Sequence, residues 1–276
     1  MIPKKAVFWY GCANFQNFMI NRQSESMLRP RFSPQAEVKQ TPGGWRLWIP
    51  AGEAGSYRLA QLDDYASLPR SRFSSSGPAS LSLRCRASQK NLPGTWGFGL
   101  WNDPFAFSLG LQGMAQRLPA LPNACWFFHA SPENHLAFHD HLAGSGFLAQ
   151  SFRSPRIPAP LLALGLPGLA LLFSRLLSRW LRTVAGQIIK EDSRSLEVDV
   201  TGWHTYQFSW RKSGVIFSVD GSGVFESPIS PVGPLGLVIW IDNQYAAWRP
   251  GGEVGMGTLK QQEAGWLEIV DLKTSW

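Results

Sequence analysis

From Gly43 onward the chain alternates apolar and polar residues over short runs. "GGWRLWIPAG" (43–52), "SYRLAQLDDY" (56–65), "ASLSLRCRAS" (79–88), "GTWGFGLWND" (94–103) and "LPNACWFFHAS" (121–131) are separated by clusters of Pro, Ser and Gly. A period of two places alternate side chains on opposite faces, so each run predicts a β-strand with one buried side. The pattern resumes in "LEVDVTGWHTYQFSWRKSGVIFSVDGSGVFES" (196–227), "GPLGLVIWIDNQY" (233–245) and "GWLEIVDLKTSW" (265–276). Turn residues at Lys212–Gly214 and Asp220–Gly223 join two alternating arms into an antiparallel meander. Ten to fourteen strands without a fixed repeat predict an all-β, two-sheet antiparallel sandwich over residues 41–276. Residues 1–35 lack strand-like alternation, and residues 1–40 read as an N-terminal extension.

One stretch departs from this pattern. "PRIPAPLLALGLPGLALLFSRLLSRWLRTVAGQII" predicts a helical insertion at about 155–190. Its apolar run, Ala159 to Phe173, is broken by Pro160, Gly165, Pro167 and Gly168 and is shorter than the ~20 residues a membrane span needs. Beyond it, Arg175, Arg179 and Arg182 share one helical face, and Leu177, Trp180, Leu181 and Val184 occupy another. The simplest arrangement packs the apolar face on the sandwich and leaves the arginines in water. A lid over an apolar pocket and a helix lying on lipid are the alternatives, and the last implies peripheral membrane contact through residues 170–185.

Composition narrows the function classes. Aromatic residues are 13% of the chain, and scattered Gly and Pro suit many short strands joined by turns. The formal charge of +7 comes from dispersed basic residues without a dense block, which predicts no nucleic-acid role. Cys12, Cys85 and Cys125 are far apart and odd in number, as expected of free thiols in a reducing, cytoplasmic setting. "MIPKKAVFWYGCANFQ" has a short apolar run after two lysines but no small-residue cleavage site, so a secretory signal is not the favoured reading.

"WHTYQFSWRKSGVIFSVDGSGVF" resembles the stretch of family 16 glycoside hydrolases and their concanavalin A-like relatives in which a His-x-Tyr strand, a Trp and a Val-Asp-Gly turn follow one another. Here these are His204, Tyr206, Trp210, Val219, Asp220 and Gly221. "LSLRCRASQKNLPGTWGFGLWND" is similar to the paired strands that precede the family's catalytic strand, and "WLEIVDLKTSW" to its closing strand. The resemblance spans about residues 55–275 without the helical insertion and implies a jelly-roll sandwich that binds ligands on its concave sheet. Structural calcium is common in that fold, but these residues specify no calcium site, no other metal and no cofactor. Hydrolysis in the family rests on a Glu-x-Asp-x-x-Glu or Glu-x-Asp-x-Glu strand. The strand expected to carry it reads "ACWFFHAS", without a carboxylate, and the only Glu-x-Asp, Glu197 to Asp199, is followed by Thr201 and Gly202 rather than a third acid.

Strand parity supplies the candidate site. If Phe98, Leu100, Leu237, Ile239 and Ile241 face the core, then Trp101 with Asp103, and Trp240 with Asp242, turn outward together. Asp103 and Asp242 are the candidate acid and base; Trp101, Trp240, Phe105, Asn243 and Tyr245 are candidate ligand-binding residues. Trp180 joins them if the helix is a lid. On "ACWFFHA" the phase sets His129 with Cys125 and Phe127 and opposite Trp126 and Phe128; which set faces the core is open, and both Trp126 and His129 are retained. "HDH" at 139–141 reads as a solvated loop rather than a metal site. The first functional expectation is an aromatic groove holding a small apolar or amphipathic ligand, with isomerase or cyclase chemistry by the paired aspartates. Its alternatives are a lectin-like, glycan-binding module and a divergent hydrolase of β-linked polysaccharide.

Overall fold

The computed structural model describes residues 28–104, 117, 119–158, 162 and 171–276. In chain order the strands are β1 (Arg29–Phe32), β2 (Glu37–Thr41), β3 (Gly44–Ile49), β4 (Leu59–Asp63), β5 (Ala79–Ala87), β6 (Thr95–Trp101), β7 (Ala124–Ala130) and β8 (Gly146–Arg153). Helix α1 (Arg175–Ile188) follows, and then β9 (Lys190–Ser195), β10 (His204–Arg211), β11 (Gly214–Val219), β12 (Ser222–Ser227), β13 (Gly236–Asp242), β14 (Gln244–Trp248), β15 (Val254–Thr258) and β16 (Gly265–Ser275).

These strands build an antiparallel jelly-roll sandwich with one helical insertion. The front sheet runs β1-β4-β13-β6-β7-β8-β9 and the back sheet β12-β11-β10-β5-β16-β3-β2. Between them lies one apolar core, in which Trp96, Phe98 and Leu100 of β6 and Leu237, Ile239 and Ile241 of β13 meet Tyr206, Phe217, Leu267 and Leu47 of the back sheet. Burying alternate residues of every strand is what makes the sequence alternate. The meander β10-β11-β12 turns where the sequence predicts, with Arg211 opposite Gly214 and Val219 opposite Ser222. At the second turn Asp220 has a φ of 50°. Its carboxylate accepts from Thr205 N at 2.8 Å and lies 2.6 Å from His204 Nδ1, so His204 clamps a turn.

The sandwich begins earlier than the alternation suggests. β1, "RPRF", pairs with β4, and β2, "EVKQT", pairs with β3, so each forms an edge of its sheet. Edge strands face solvent on several sides and tolerate Pro and charge, which is why these segments carry no apolar alternation.

The insertion contains α1, but the helix is turned the opposite way from the simplest expectation. Arg182 is buried, whereas Leu176, Leu177 and Trp180 are exposed. Backbone carbonyls of the loop before β8 and of β14 capture the arginine: Nη2 donates to Ala137 O at 2.7 Å and Nε to Trp248 O at 2.9 Å. Asp140 of the "HDH" turn completes the clasp as an ion pair. Glu191 takes the neighbouring His139, and the described residues contain no metal-ligating cluster.

Candidate functional site

The outward side of the front sheet is an aromatic floor. On β6 the residues facing away from the core are Thr95, Gly97, Gly99 and Trp101, on β7 Ala124, Trp126, Phe128 and Ala130, and on β13 Val238, Trp240 and Asp242. The two glycines explain how three indoles fit side by side. A Cβ on Gly97 would approach the ring of Trp240 to 2.9 Å, and one on Gly99 would meet Trp126 Cβ at 2.4 Å. "TWGFGLW" thus supplies two slots, into which Trp240 leans from β13 and Trp126 from β7. Trp101 and Trp240 stack with ring centres 6.3 Å apart and planes 7° from parallel; Trp126 lies 5.9 Å from the first and 5.6 Å from the second. Parity therefore places Trp101 and Trp240 on one face. Trp101 and Trp126 remain partly exposed, whereas Trp240 and Phe128 are buried beneath their neighbours.

The aspartates do not join them as a pair. Asp242 lies opposite Thr95 and Trp101 lies opposite Gly236, so the antiparallel register puts Asp103 and Asp242 at opposite ends of the β6–β13 pair. At about 3.3 Å per residue, the six-residue step from Thr95 to Trp101 alone spans about 20 Å. No small molecule bridges that gap, and the expected acid–base partnership fails on register. Asp103 sits just past β6 with a φ of 48°, where strand parity no longer governs its side chain. Its carboxylate is buried in an ion pair with Arg117, and its carbonyl accepts from Arg70. Burial pushes the carboxyl above its ordinary range, with Arg117 and Arg70 pulling the other way. Arg117 also donates to the carbonyls of Tyr65, Ala66 and Leu68, so this pair ties the end of β6 to the loop after β4.

Asp242 positions the floor. Trp240 Nε1 donates to Thr95 Oγ1 at 3.0 Å, and that hydroxyl donates to Asp242 Oδ1 at 2.8 Å. The carboxyl is buried, and burial pushes it up to about 7, against hydrogen bonds from Thr95, Gln244 and Tyr57.

Several other candidates lie elsewhere. His129 points into the inter-sheet core, where it stacks on Trp96 with ring centres 5.5 Å apart and Nε2 donates to Leu92 O at 3.2 Å. Burial lowers it to about 4, so it is a neutral core residue rather than a cleft ligand. Asn243 is also fully buried: its amide joins the carbonyls of Ser56 and Leu259, and its oxygen accepts from Arg58 N. It staples three chain segments. Tyr245 lies across its own β14–β15 hairpin, where a Cβ on Gly257 would come within 3.0 Å of its ring. Trp180 is not a roof, because it is on the side of α1 turned away from the protein. Phe105 lies outside the described residues.

Sequence reasoning missed the polar side of the floor. Gln150 on β8 and Ser193 on β9 are cross-strand partners whose side chains share the front face. Trp126 Nε1 donates to Gln150 Oε1 at 3.1 Å. Among the described residues, Gln150 Nε2 and Ser193 Oγ are buried with no hydrogen-bond partner, as is Glu191 Oε2 two residues before Ser193. Glu191 Oε1 accepts from Phe138 N and His139 N, each at 2.6 Å, and burial raises its carboxyl above the ordinary range. Native interiors seldom leave such groups orphaned, so Gln150 against the indole, with Ser193 across the strand and Glu191 two residues along, marks a place that a polar ligand or water completes. The only sequence signal was the alternation in "GFLAQSFR", where Gln150 takes a position opposite the core-facing Ala149.

Two open surface pockets among the described residues, of about 290 and 320 Å³, are away from this floor. Glu37, Lys39, Arg46 and Trp48 line the first, on the back sheet; Arg153, Arg156, Arg211 and Lys212 contribute to the second.

No protein-family model and no curated protein matches the chain. Solved structures do resemble it. A glycosyl hydrolase family protein from Mycobacterium fortuitum has 12% identity and a TM-score of 0.44, over 91% of this chain and 92% of that one. A family 16 glycoside hydrolase of a Bacteroides ovatus mixed-linkage glucan locus, solved with its product, has 8% identity and a TM-score of 0.46, over 91% and 94%. A legume lectin-like domain from Entamoeba histolytica has 7% identity and a TM-score of 0.45, over 92% of both chains. These are likenesses of overall fold. At the floor, the front-facing positions of β7 hold Ala124, Trp126, Phe128 and Ala130, and no carboxylate.

Proposed function

We propose that the chain is a glycan-binding sandwich without hydrolytic activity, with Trp101 and Trp126 as its stacking surfaces. The observation that carries this reading is the pair of unpartnered groups, Gln150 Nε2 and Ser193 Oγ, beside the partly exposed indole of Trp126. A sugar ring offers an apolar C–H face for the indole, and its hydroxyls match the amide and the serine, which lie just beneath the surface and would be uncovered by a small side-chain shift on binding. The competing occupant, an apolar or amphipathic small molecule, is favoured by the three adjoining indoles and Phe128. It would leave both polar groups unsatisfied, at about 1–3 kcal/mol each. Retaining hydrolysis needs two carboxyl groups about 5 Å apart, which β7 does not provide and which Asp103 and Asp242 are too far apart to supply.

Affinity electrophoresis through gels containing soluble polysaccharides tests the proposal, with a reducing-sugar assay on the same panel. Retardation by at least one polysaccharide, lost in Trp126→Ala, and no release of reducing ends are expected. Unretarded migration on the whole panel, with displacement of a fluorescent fatty acid by apolar competitors, would replace the glycan with the apolar ligand. Reducing-end release abolished by Asp103→Asn would restore the hydrolase.

A further inference from the structure

Among the described residues, the outer face of α1 and the turn before it carry Phe173, Leu176, Leu177 and Trp180, all exposed. Along the helix, Ser178, Arg182 and Ala185 fall on one side, and this is the side that docks: Trp248 Nε1 donates to Ser178 Oγ at 3.0 Å, and Arg182 makes the contacts described above. At 100° per residue Leu176, Trp180 and Val184 lie on the opposite side, with Leu177 and Ile188 along its flank. There Leu176 is 77% exposed and Trp180 58%, and Phe173, just before the helix, is 95% exposed. A soluble protein ordinarily buries the apolar side of such a helix, so this arrangement calls for a partner surface.

Charge indicates which surface. Arg175 and Arg179 border the apolar stripe on one flank; Arg175 is 3.5 Å from Glu253, and Arg179 has no acidic partner among the described residues. Lys190 follows the end of the helix and lies opposite Arg153 in the β8–β9 pair; both are exposed and neither has an acidic partner among the described residues. A second copy docking through the same patch by a two-fold axis would set these cations against one another. A convex helix also offers no cavity to a small ligand. An apolar stripe bearing a Trp, edged by basic residues, suits the boundary between acyl chains and anionic headgroups. No helix among the described residues is long and apolar enough to cross a membrane.

We propose that α1 lies on an anionic lipid surface, with Phe173, Leu176, Leu177 and Trp180 among the upper acyl chains and Arg179, Lys190 and Arg153 against lipid phosphates. This inference is independent of glycan binding.

Sedimentation of the full chain with vesicles of phosphatidylcholine, alone or mixed with phosphatidylglycerol, tests it. Co-sedimentation with the mixed vesicles, weakening as salt is raised, is expected. The double variant Leu176→Ser, Trp180→Ser should stay in the supernatant. Arg179→Glu with Lys190→Glu should lower partitioning about tenfold or more, at roughly 1 kcal/mol per basic residue near the surface. Both should keep the wild-type melting temperature, because these side chains point away from the fold. Wild-type protein that ignores all vesicles, or an apolar double variant that sediments like wild type, would overturn the proposal. So would a wild-type dimer, measured by light scattering, that becomes monomeric in the apolar double variant, since a second copy would then be the occupant. None of these failures affects the polysaccharide result, which reads the Trp126 indole rather than the outer side chains of α1.

Discussion

The indole of Trp126 donates to Gln150 Oε1 at 3.1 Å, and in doing so it orients the amide so that its nitrogen has nothing to bond. Flipping the amide would set two donors against each other, so the hydrogen bond determines which end of Gln150 is orphaned. Ser193, its cross-strand partner, is orphaned beside it.

Removing the serine hydroxyl separates stability from binding. Ser193→Ala deletes a buried, unsatisfied group, so its melting temperature should equal or exceed that of wild type. Its affinity for a retarding polysaccharide should fall about tenfold, the usual worth of one lost hydrogen bond. A melting temperature several degrees lower with unchanged affinity would show the hydroxyl to be structural.

Asp242 should make the protein less stable as pH rises. Its folded carboxyl titrates at about 7, above the ordinary value of 3.8, so the fold holds this proton more tightly than the unfolded chain does. The resulting stability is complete below about pH 4 and is lost as pH climbs through 7, with a ceiling of about 4 kcal/mol at about 1.4 kcal/mol per unit. Asp64, pushed by burial to about 6, contributes with the same sign. Urea unfolding at pH 5 and pH 8 should show a decline in wild type that is much smaller in Asp242→Asn; equal declines would rule out Asp242 as the source.

His129 acts in the opposite direction. Its folded value of about 4 lies below the ordinary 6.5, so the unfolded chain takes up the proton first. Stability present above pH 6.5 is lost as pH falls toward 4, by up to about 3 kcal/mol. His129→Leu should start less stable, having lost the Leu92 hydrogen bond, but should lose less on acidification. Guanidinium titrations of both proteins at pH 7 and pH 4.5 measure the two slopes.

The Arg117–Asp103 pair should be costly to break from the cationic side. Arg117→Ala leaves a buried carboxylate and three carbonyls without their donor, and a loss of about 3–5 kcal/mol is expected. Asp103→Asn, which keeps an acceptor, should cost clearly less. Equal losses in chemical denaturation would mean that packing, not charge, dominates there.

Alternation alone placed Phe98, Leu100, Leu237, Ile239 and Ile241 in the core and Trp101 and Trp240 on the outer face, because side-chain parity is a local property of each strand. Other features depend on partners distant in the chain. The register of β13 against β6 separated Asp103 from Asp242, and the pairing of β8 with β9 brought Gln150 to Ser193. The phase of β7, which was open in the sequence, was decided by Trp96 and Leu92 receiving His129 in the core. Amphipathicity showed that α1 has two faces, but only the carbonyls of Ala137 and Trp248, waiting for Arg182, determined which face docks. A sequence specifies which side chains share a surface within a strand or helix, whereas the hydrogen bonds and packing of the assembled sandwich decide what that surface meets.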